Sequence, residues 1–222
     1  VYPDYRDSAF CRAFELVPGI GLDIGLDFGL TPAALIGQRQ ANGQWRIRKE
    51  LVTEDTGVIR FAGELKRFLA KEFPGFKIAT ITGDPAGDQR QAGDSEERTV
   101  FQLLEAQDVI AKPANTNDFA IRTEAFSEPM RRMIDGEPGM LIHPDCVVTR
   151  KGLQGGYCFK RVKVAGDERF RDVPDKNKYS HPCEAGQYMV MGAGGTVAIM
   201  PPKKKPVAVT PVPMVSHFGR RR

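Results

Sequence analysis

The chain has 222 residues, 41% hydrophobic and 27% charged, which supplies one sizeable core in a body of ordinary globular composition. No apolar run approaches the ~20 residues of a membrane helix. No apolar leader is visible in "VYPDYRDSAFCRAFE", and the scattered Cys11, Cys146, Cys158 and Cys183 form no CxxC pair, which argues against zinc and for reduced thiols in a cytosol. The net charge of +4 is uneven, because the stretch from Pro201 to Arg222 holds Lys203, Lys204, Lys205, Arg220, Arg221 and Arg222 and no acid.

Three segments follow from composition: a lead-in over 1–18, a globular domain over 19–200, and a basic proline-rich tail over 201–222, expected to be disordered. The domain opens on "GLDIGLDFGL", an apolar, glycine-dotted strand that carries two aspartates, Asp23 and Asp27. "AALIGQRQ" reads as a second strand. Asn42-Gly43 signals a hairpin into a third, "WRIRKELVTE". Val58, Phe61, Leu65, Phe68 and Leu69 then recur at helical spacing. "FKIATIT" is a short buried strand closed by "GDPAGDQ". A helix over "SEERTVFQLLEAQ" takes Asp94 or Ser95 as its cap, and "VIAKPA" is a fifth strand. "NDFAIRTEAFSEPMRRMIDG" is a helix that Pro129 should kink or split. "GMLIHPDC" is a short extended piece. Residues 150–178 form a loop or ribbon with nine Lys/Arg against four Asp/Glu. "SHPCEAGQYMVMGAGG" is a last helix, capped by Ser180 with Pro182 in its first turn. Three antiparallel strands, then helix, strand, helix, strand, helix, is the order of a ribonuclease-H-like α/β fold. It predicts a mixed five-stranded sheet, with the later strands parallel, and helices on both faces.

In that topology Asp27 and Asp84 end neighbouring parallel strands, where open α/β sheets bind ligands. Asp23 has the same parity as Asp27 and so shares its face; it reads as structural. Glu184 sits in the first turns of the last helix, with His181 and Tyr188 on its face at i−3 and i+4. Carboxylates gathered from distant parts of a chain repel one another and persist where hard cations neutralise them. Mg²⁺ or Mn²⁺ suits such oxygens, and two ions about 4 Å apart can serve phosphodiester hydrolysis. Each acid also has a plainer reading: a strand-end turn for Asp27, an ordinary turn for "GDPAGD", and a solvated helix-start acid for Glu184.

Together "GLDFGLTPAALIGQ", "GDPAGDQR", "KPANTNDFAIRTEAF", "GEPGMLI", "LQGGYCFKR" and "KNKYSHPCEAGQYMVMG" resemble, in order and over roughly residues 20–195, the nuclease domain of the phage terminase large subunit. The resemblance implies two-metal-ion endonuclease cleavage of double-stranded DNA during genome packaging. It assigns catalysis and both Mg²⁺ or Mn²⁺ ions to Asp27, Asp84 and Glu184. Implied partners are an ATPase domain preceding this one in the same protein, the portal and the small terminase subunit; the implied setting is the host cytoplasm, with no membrane. No GxxxxGK[ST] loop is present, as expected of a separate nuclease domain. The family's third acid is often Asp, so Glu184 adds a methylene of reach. Gly186 replaces a usual larger apolar residue and should loosen the last helix.

Phosphate contacts, which position DNA without reading its sequence, are expected from Lys151, Lys160, Arg161, Lys163, Arg169 and Arg171, with Arg150 as a further candidate. Of Lys176 and Lys178, nearest in sequence to His181 and Glu184, one is expected to touch the scissile phosphate region. Two other classes compete. "DFGLT" fits the phosphate loop of actin/sugar-kinase-like ATP-binding domains, and a non-catalytic DNA-binding packaging module would bind without cutting.

Overall fold

Alternation along the opening strands gives the sheet two buried faces, and the rest of the chain packs on them. The computed structural model describes residues 1–29, 31–88, 98–162 and 169–195. In chain order the elements are α1 (Asp7–Phe10), β1 (Leu22–Asp27), β2 (Ala33–Arg39), β3 (Trp45–Val52), α2 (Val58–Glu72), β4 (Ile78–Gly83), α3 (Val100–Glu105), β5 (Lys112–Pro113) and α4 (Phe119–Arg131). Then come β6 (Met133–Ile134), β7 (Glu137–Pro138), β8 (Met140–Ile142), α5 (Val147–Lys151), β9 (Phe159–Val162), β10 (Arg169–Pro174) and α6 (Ser180–Val190).

The main sheet runs β5-β4-β1-β2-β3-β8. β1, β2 and β3 are antiparallel neighbours, and β4 and β5 continue parallel to β1. This is the ribonuclease-H-like order, extended beyond the five expected strands by β8, which lies parallel to β3. The expected ribbon forms from β9 and β10, and β6–β7 is a separate small hairpin.

Leu22, Ile24, Leu26, Ala34 and Ile36 point to one face and meet Phe61 and Leu65 of α2 with Val100 and Leu104 of α3. Leu35, Trp45 and Ile47 point to the other and meet Phe126 of α4 with Ala185, Tyr188 and Met189 of α6. On this second face β1 presents only Asp23, Gly25 and Asp27, and α6 occupies the space left by the missing side chain. A Cβ on Gly25 would stand 1.8 Å from the Ala185 carbonyl oxygen. The lead-in joins this core through Tyr2, Tyr5 and Phe10, while Asp7 holds the Arg150 guanidinium at 2.8 and 2.6 Å. Arg150 is thereby committed to the fold rather than to phosphate.

Several local expectations change. α3 begins at Val100, and its cap is Thr99 in a reciprocal pair with Gln102; Asp94 and Ser95 lie outside the described residues, as does the tail over 201–222. Ser180 is the first residue of α6 rather than its cap, and its hydroxyl donates to the Asn177 carbonyl. Pro129 does not split α4, which runs on to Arg131; the ring is buried in the last turn, where few backbone bonds remain to lose. Gly186 does not loosen α6. A Cβ there would lie 2.7 Å from the Phe126 ring and 2.9 Å from Leu35, so the helix is seated more closely than a larger residue allows.

At the end of β8 the charges are tied across elements. Lys49 bonds Asp145 and Glu72, and Arg48 bonds Asp145 at 2.9 Å. Lys49, then Arg48, pulls the Asp145 carboxyl down to about 2. A depressed carboxylate stabilises the fold above its unfolded value of 3.8 and loses that contribution as pH falls through about 2. Acid unfolding of Asp145→Asn, followed by circular dichroism, is therefore expected to show a shallower loss of stability between pH ~4 and ~2 than the wild type.

Candidate functional site

Asp27 closes β1 and Asp84 follows β4, and the two strands are parallel neighbours with Leu26 opposite Gly83. The Asp84 N–H donates to the Leu26 carbonyl at 3.2 Å, which places the two acids side by side at the carboxyl edge of the sheet. Glycines make room there. A Cβ on Gly83 or Gly87 would meet the Phe28 ring at 2.6 or 2.8 Å, so the residues flanking Asp84 must be small for Phe28 to fold under them and pack on Phe101. The Asp84 Oδ1 accepts the Ala86 N–H at 2.9 Å, and the side chain is half-buried.

α6 runs back along β1, so its first turn arrives at Asp27. His181 Nδ1 lies 2.7 Å from Asp27 Oδ2. One turn on, Glu184 points into the same region. Asp27 and Glu184 are each 1% exposed. Burial raises the Asp27 carboxyl above its ordinary value; the His181 bond opposes this and repulsion from Glu184 adds to it. The Tyr188 phenol is raised chiefly by burial, and Asp84, Asp27 and Glu184 all add to that rise, so one hydroxyl feels all three predicted acids. That hydroxyl donates to Asn117 Oδ1 at 2.8 Å.

Glu184 is engaged on both oxygens. Tyr157 donates to Oε1 at 2.8 Å. Lys176 contacts Oε2, and Arg122 Nη1 lies 3.6 Å from the same oxygen. Lys176 thus reaches a carboxylate of the site while its side chain stays 62% exposed. Asp23 sits on the same face four residues back, where its Oδ1 accepts the Thr80 hydroxyl at 2.7 Å.

A cleft of about 580 Å³ opens beside Asp27 and His181, walled by Lys176, Lys178, Glu54 and Asp55. A neighbouring cleft of about 320 Å³ shares Lys178 and adds Lys151. The Lys178 ammonium rests 5.2 Å from the Tyr179 ring centre. Of the other basic candidates, Lys160 faces Asp175 at 3.4 Å and Arg171 is exposed on β10. Lys163, and the side chains of Arg161 and Arg169, lie outside what is described.

Among the described residues no three His, Cys, Asp or Glu side chains stand in the arrangement of a formed metal cage. The chemistry of the donors nonetheless fits a hard divalent cation. Two buried carboxylates repel each other beside a third at the rim, and the Lys176 ammonium and the His181 ring already occupy oxygens of Glu184 and Asp27. Sequence reading missed Arg122, Tyr157 and Gln187. For Arg122 a signal existed: with Ala125, Phe126, Pro129 and Met130 it lies on the buried stripe of α4, a charge where an apolar residue is the rule.

No protein-family model matches the chain, and no curated protein matches it. Among solved structures, the large terminase of a thermophilic bacteriophage shares the fold, with a TM-score of 0.61 at 15% identity over 85% of this chain and 43% of that one. The same terminase in complex with ADP gives 0.61 at 16% identity over the same shares. This chain therefore spans less than half the length of that protein. The g2p large terminase nuclease domain of bacteriophage SPP1, solved with bound Mn, gives 0.47 at 17% identity over 76% of this chain and 84% of that one.

Proposed function

We propose that this chain is the nuclease part of a phage DNA-packaging large terminase, a divalent-metal-dependent endonuclease that cuts double-stranded DNA. The observation that supports the reading is that Asp27 and Asp84 end adjacent parallel strands, while α6 brings His181 onto Asp27 with Glu184 one turn on. The fold shared with the large terminase of the thermophilic bacteriophage supports it. No described helix is long and apolar enough to cross a membrane.

Asp27, Asp84 and Glu184 would hold Mg²⁺ or Mn²⁺, two ions in all, which when bound supply a water nucleophile and neutralise the leaving oxygen. The chain's own residues do the rest. Asp27, kept in place by His181, lines the cleft. Lys176 releases Glu184 and, with Lys178, meets the phosphates next to the cut; Lys151 continues the basic wall along the adjoining cleft. Lys160 and Arg171 of the β9–β10 ribbon, with Arg161, Lys163 and Arg169 of the same stretch of sequence, would carry further phosphate contacts. In the whole protein an ATPase domain drives the DNA, with the portal and small terminase subunit as partners at the procapsid in the host cytoplasm.

Supercoiled plasmid incubated with the chain tests this. Nicked and then linear product is expected with Mn²⁺ or Mg²⁺, with little sequence preference and no product in EDTA. Plasmid that is bound but never cut in either ion would contradict the reading and identify a binding module.

A further inference from the structure

Arg122 has no part in the reading above, yet it is the best-buried cation near the acids, at 7% exposure. It stands on α4, a thirteen-residue helix, with its guanidinium 5.2 Å from the Phe119 ring centre and 5.8 Å from that of Tyr188. Nη1 donates to Gln187 Oε1 and faces Glu184 Oε2 at 3.6 Å. Gln187 in turn donates to the Tyr2 hydroxyl. Nε is buried and has no hydrogen-bond partner among the described residues, and Glu184 is the one carboxylate that those residues place within ion-pair distance of the guanidinium. A buried guanidinium with an unsatisfied N–H is costly, so its orientation is set by the groups it does reach.

We infer that Arg122 is a positioning residue for Glu184, an inference that rests on the nuclease reading. Two kinds of cation serve this carboxylate. Lys176 is exposed, follows the β9–β10 ribbon, and can be withdrawn by a phosphate or replaced by a metal ion. Arg122 is buried on a packed helix, within 5.2 and 5.8 Å of two ring centres. With Tyr157 on Oε1, it leaves Glu184 a fixed aim after Lys176 has gone. A glutamate has one more rotatable bond than an aspartate, so the longer side chain needs such a frame more than a short one would. Partners that orient a ligand in this way typically change metal affinity or activity by about 10–100-fold when removed.

The test uses Arg122→Met and Arg122→Lys in the full 222-residue chain. Two readouts are taken: plasmid-cutting kcat and KM, and Mn²⁺ binding without DNA, followed by the electron paramagnetic resonance signal of free Mn²⁺. Arg122→Met is expected to lower kcat about 10–100-fold, weaken Mn²⁺ binding about tenfold and leave KM for DNA within about threefold. Arg122→Lys keeps the charge but not the fork, and is expected to recover part of the Mn²⁺ affinity. Native Mn²⁺ affinity and kcat in folded Arg122→Met would overturn the inference. If the Met variant does not fold, Arg122→Lys decides: an affinity and kcat equal to wild type overturn it, and an intermediate Mn²⁺ affinity supports it. Should the wild type bind Mn²⁺ yet cut no plasmid, the nuclease reading fails by itself, and the ranking of Mn²⁺ affinities still tests Arg122.

Discussion

Asp27→Asn is expected to reduce plasmid cleavage by at least about 10²–10³-fold while leaving the protein folded and, without metal, at least as stable as the wild type. The two effects have one cause. Asp27 is a charge at 1% exposure, raised in pKa by burial and repelled by Glu184. Removing the charge relieves a cost in the metal-free fold, and the amide still reaches His181. The same charge is what a divalent cation needs. Melting temperature and cleavage should therefore move in opposite directions. Asp23→Asn is the matched control: it lies on the same strand face but is bound to Thr80, away from Asp84, and should cut as wild type. Equal cleavage by Asp27→Asn and wild type would remove the proposed chemistry from this edge of the sheet.

Gly25→Ala is expected to be among the most damaging single-methyl changes in the chain. The added Cβ would lie 1.8 Å from the Ala185 carbonyl oxygen, 2.7 Å from its carbon and 2.8 Å from Met189 Cβ. Two of these are backbone atoms of α6, so no side-chain rotation clears the clash. Either α6 lifts from β1 or the fold fails, and the cost should reach or exceed the top of the ~1–3 kcal/mol range for overpacked cores. A lifted α6 also carries His181 and Glu184 away from Asp27. A shift of about 1 Å is enough to cost about 10²-fold in rate. Gly63→Ala is the contrast: it sits within α2, where the nearest atom to a new Cβ is an Arg67 nitrogen at 3.6 Å, and it should gain about 1 kcal/mol from helix propensity. Urea denaturation of both variants, with cleavage assays on whichever folds, checks this. A Gly25→Ala protein of native stability would mean that α6 does not rest on β1 as described.

Much of the scaffold was legible because its signals are local. An apolar, glycine-dotted run marked β1, Asn42-Gly43 marked the β2–β3 hairpin, where Gly43 takes φ +89°, and the 3.6-residue period marked α2. The order of elements alone implies that Asp27 and Asp84 end neighbouring strands, as they do. What stayed hidden depends on contacts between remote segments. β8 holds only three residues, too few for a period, and becomes a strand because β3 offers it an edge. Gly186 looked like a packing defect because its partners, Phe126 and Leu35, lie about 60 and about 150 residues away in the chain. The Lys176 bond to Glu184 is invisible in the sequence because it needs the turn into α6 to bring the two side chains together. Arg122 lies in "NDFAIRTEAF", where a charge on a buried helical stripe announces an unseen partner.

The most direct test of the central claim is the position of Mn²⁺ in crystals of this chain, located by its anomalous scattering. The account predicts density in contact with carboxylate oxygens of Asp27, Asp84 and Glu184, with Lys176 turned away from Glu184. Manganese bound elsewhere, with Glu184 still held by Lys176 and no peak at Asp27, would contradict it.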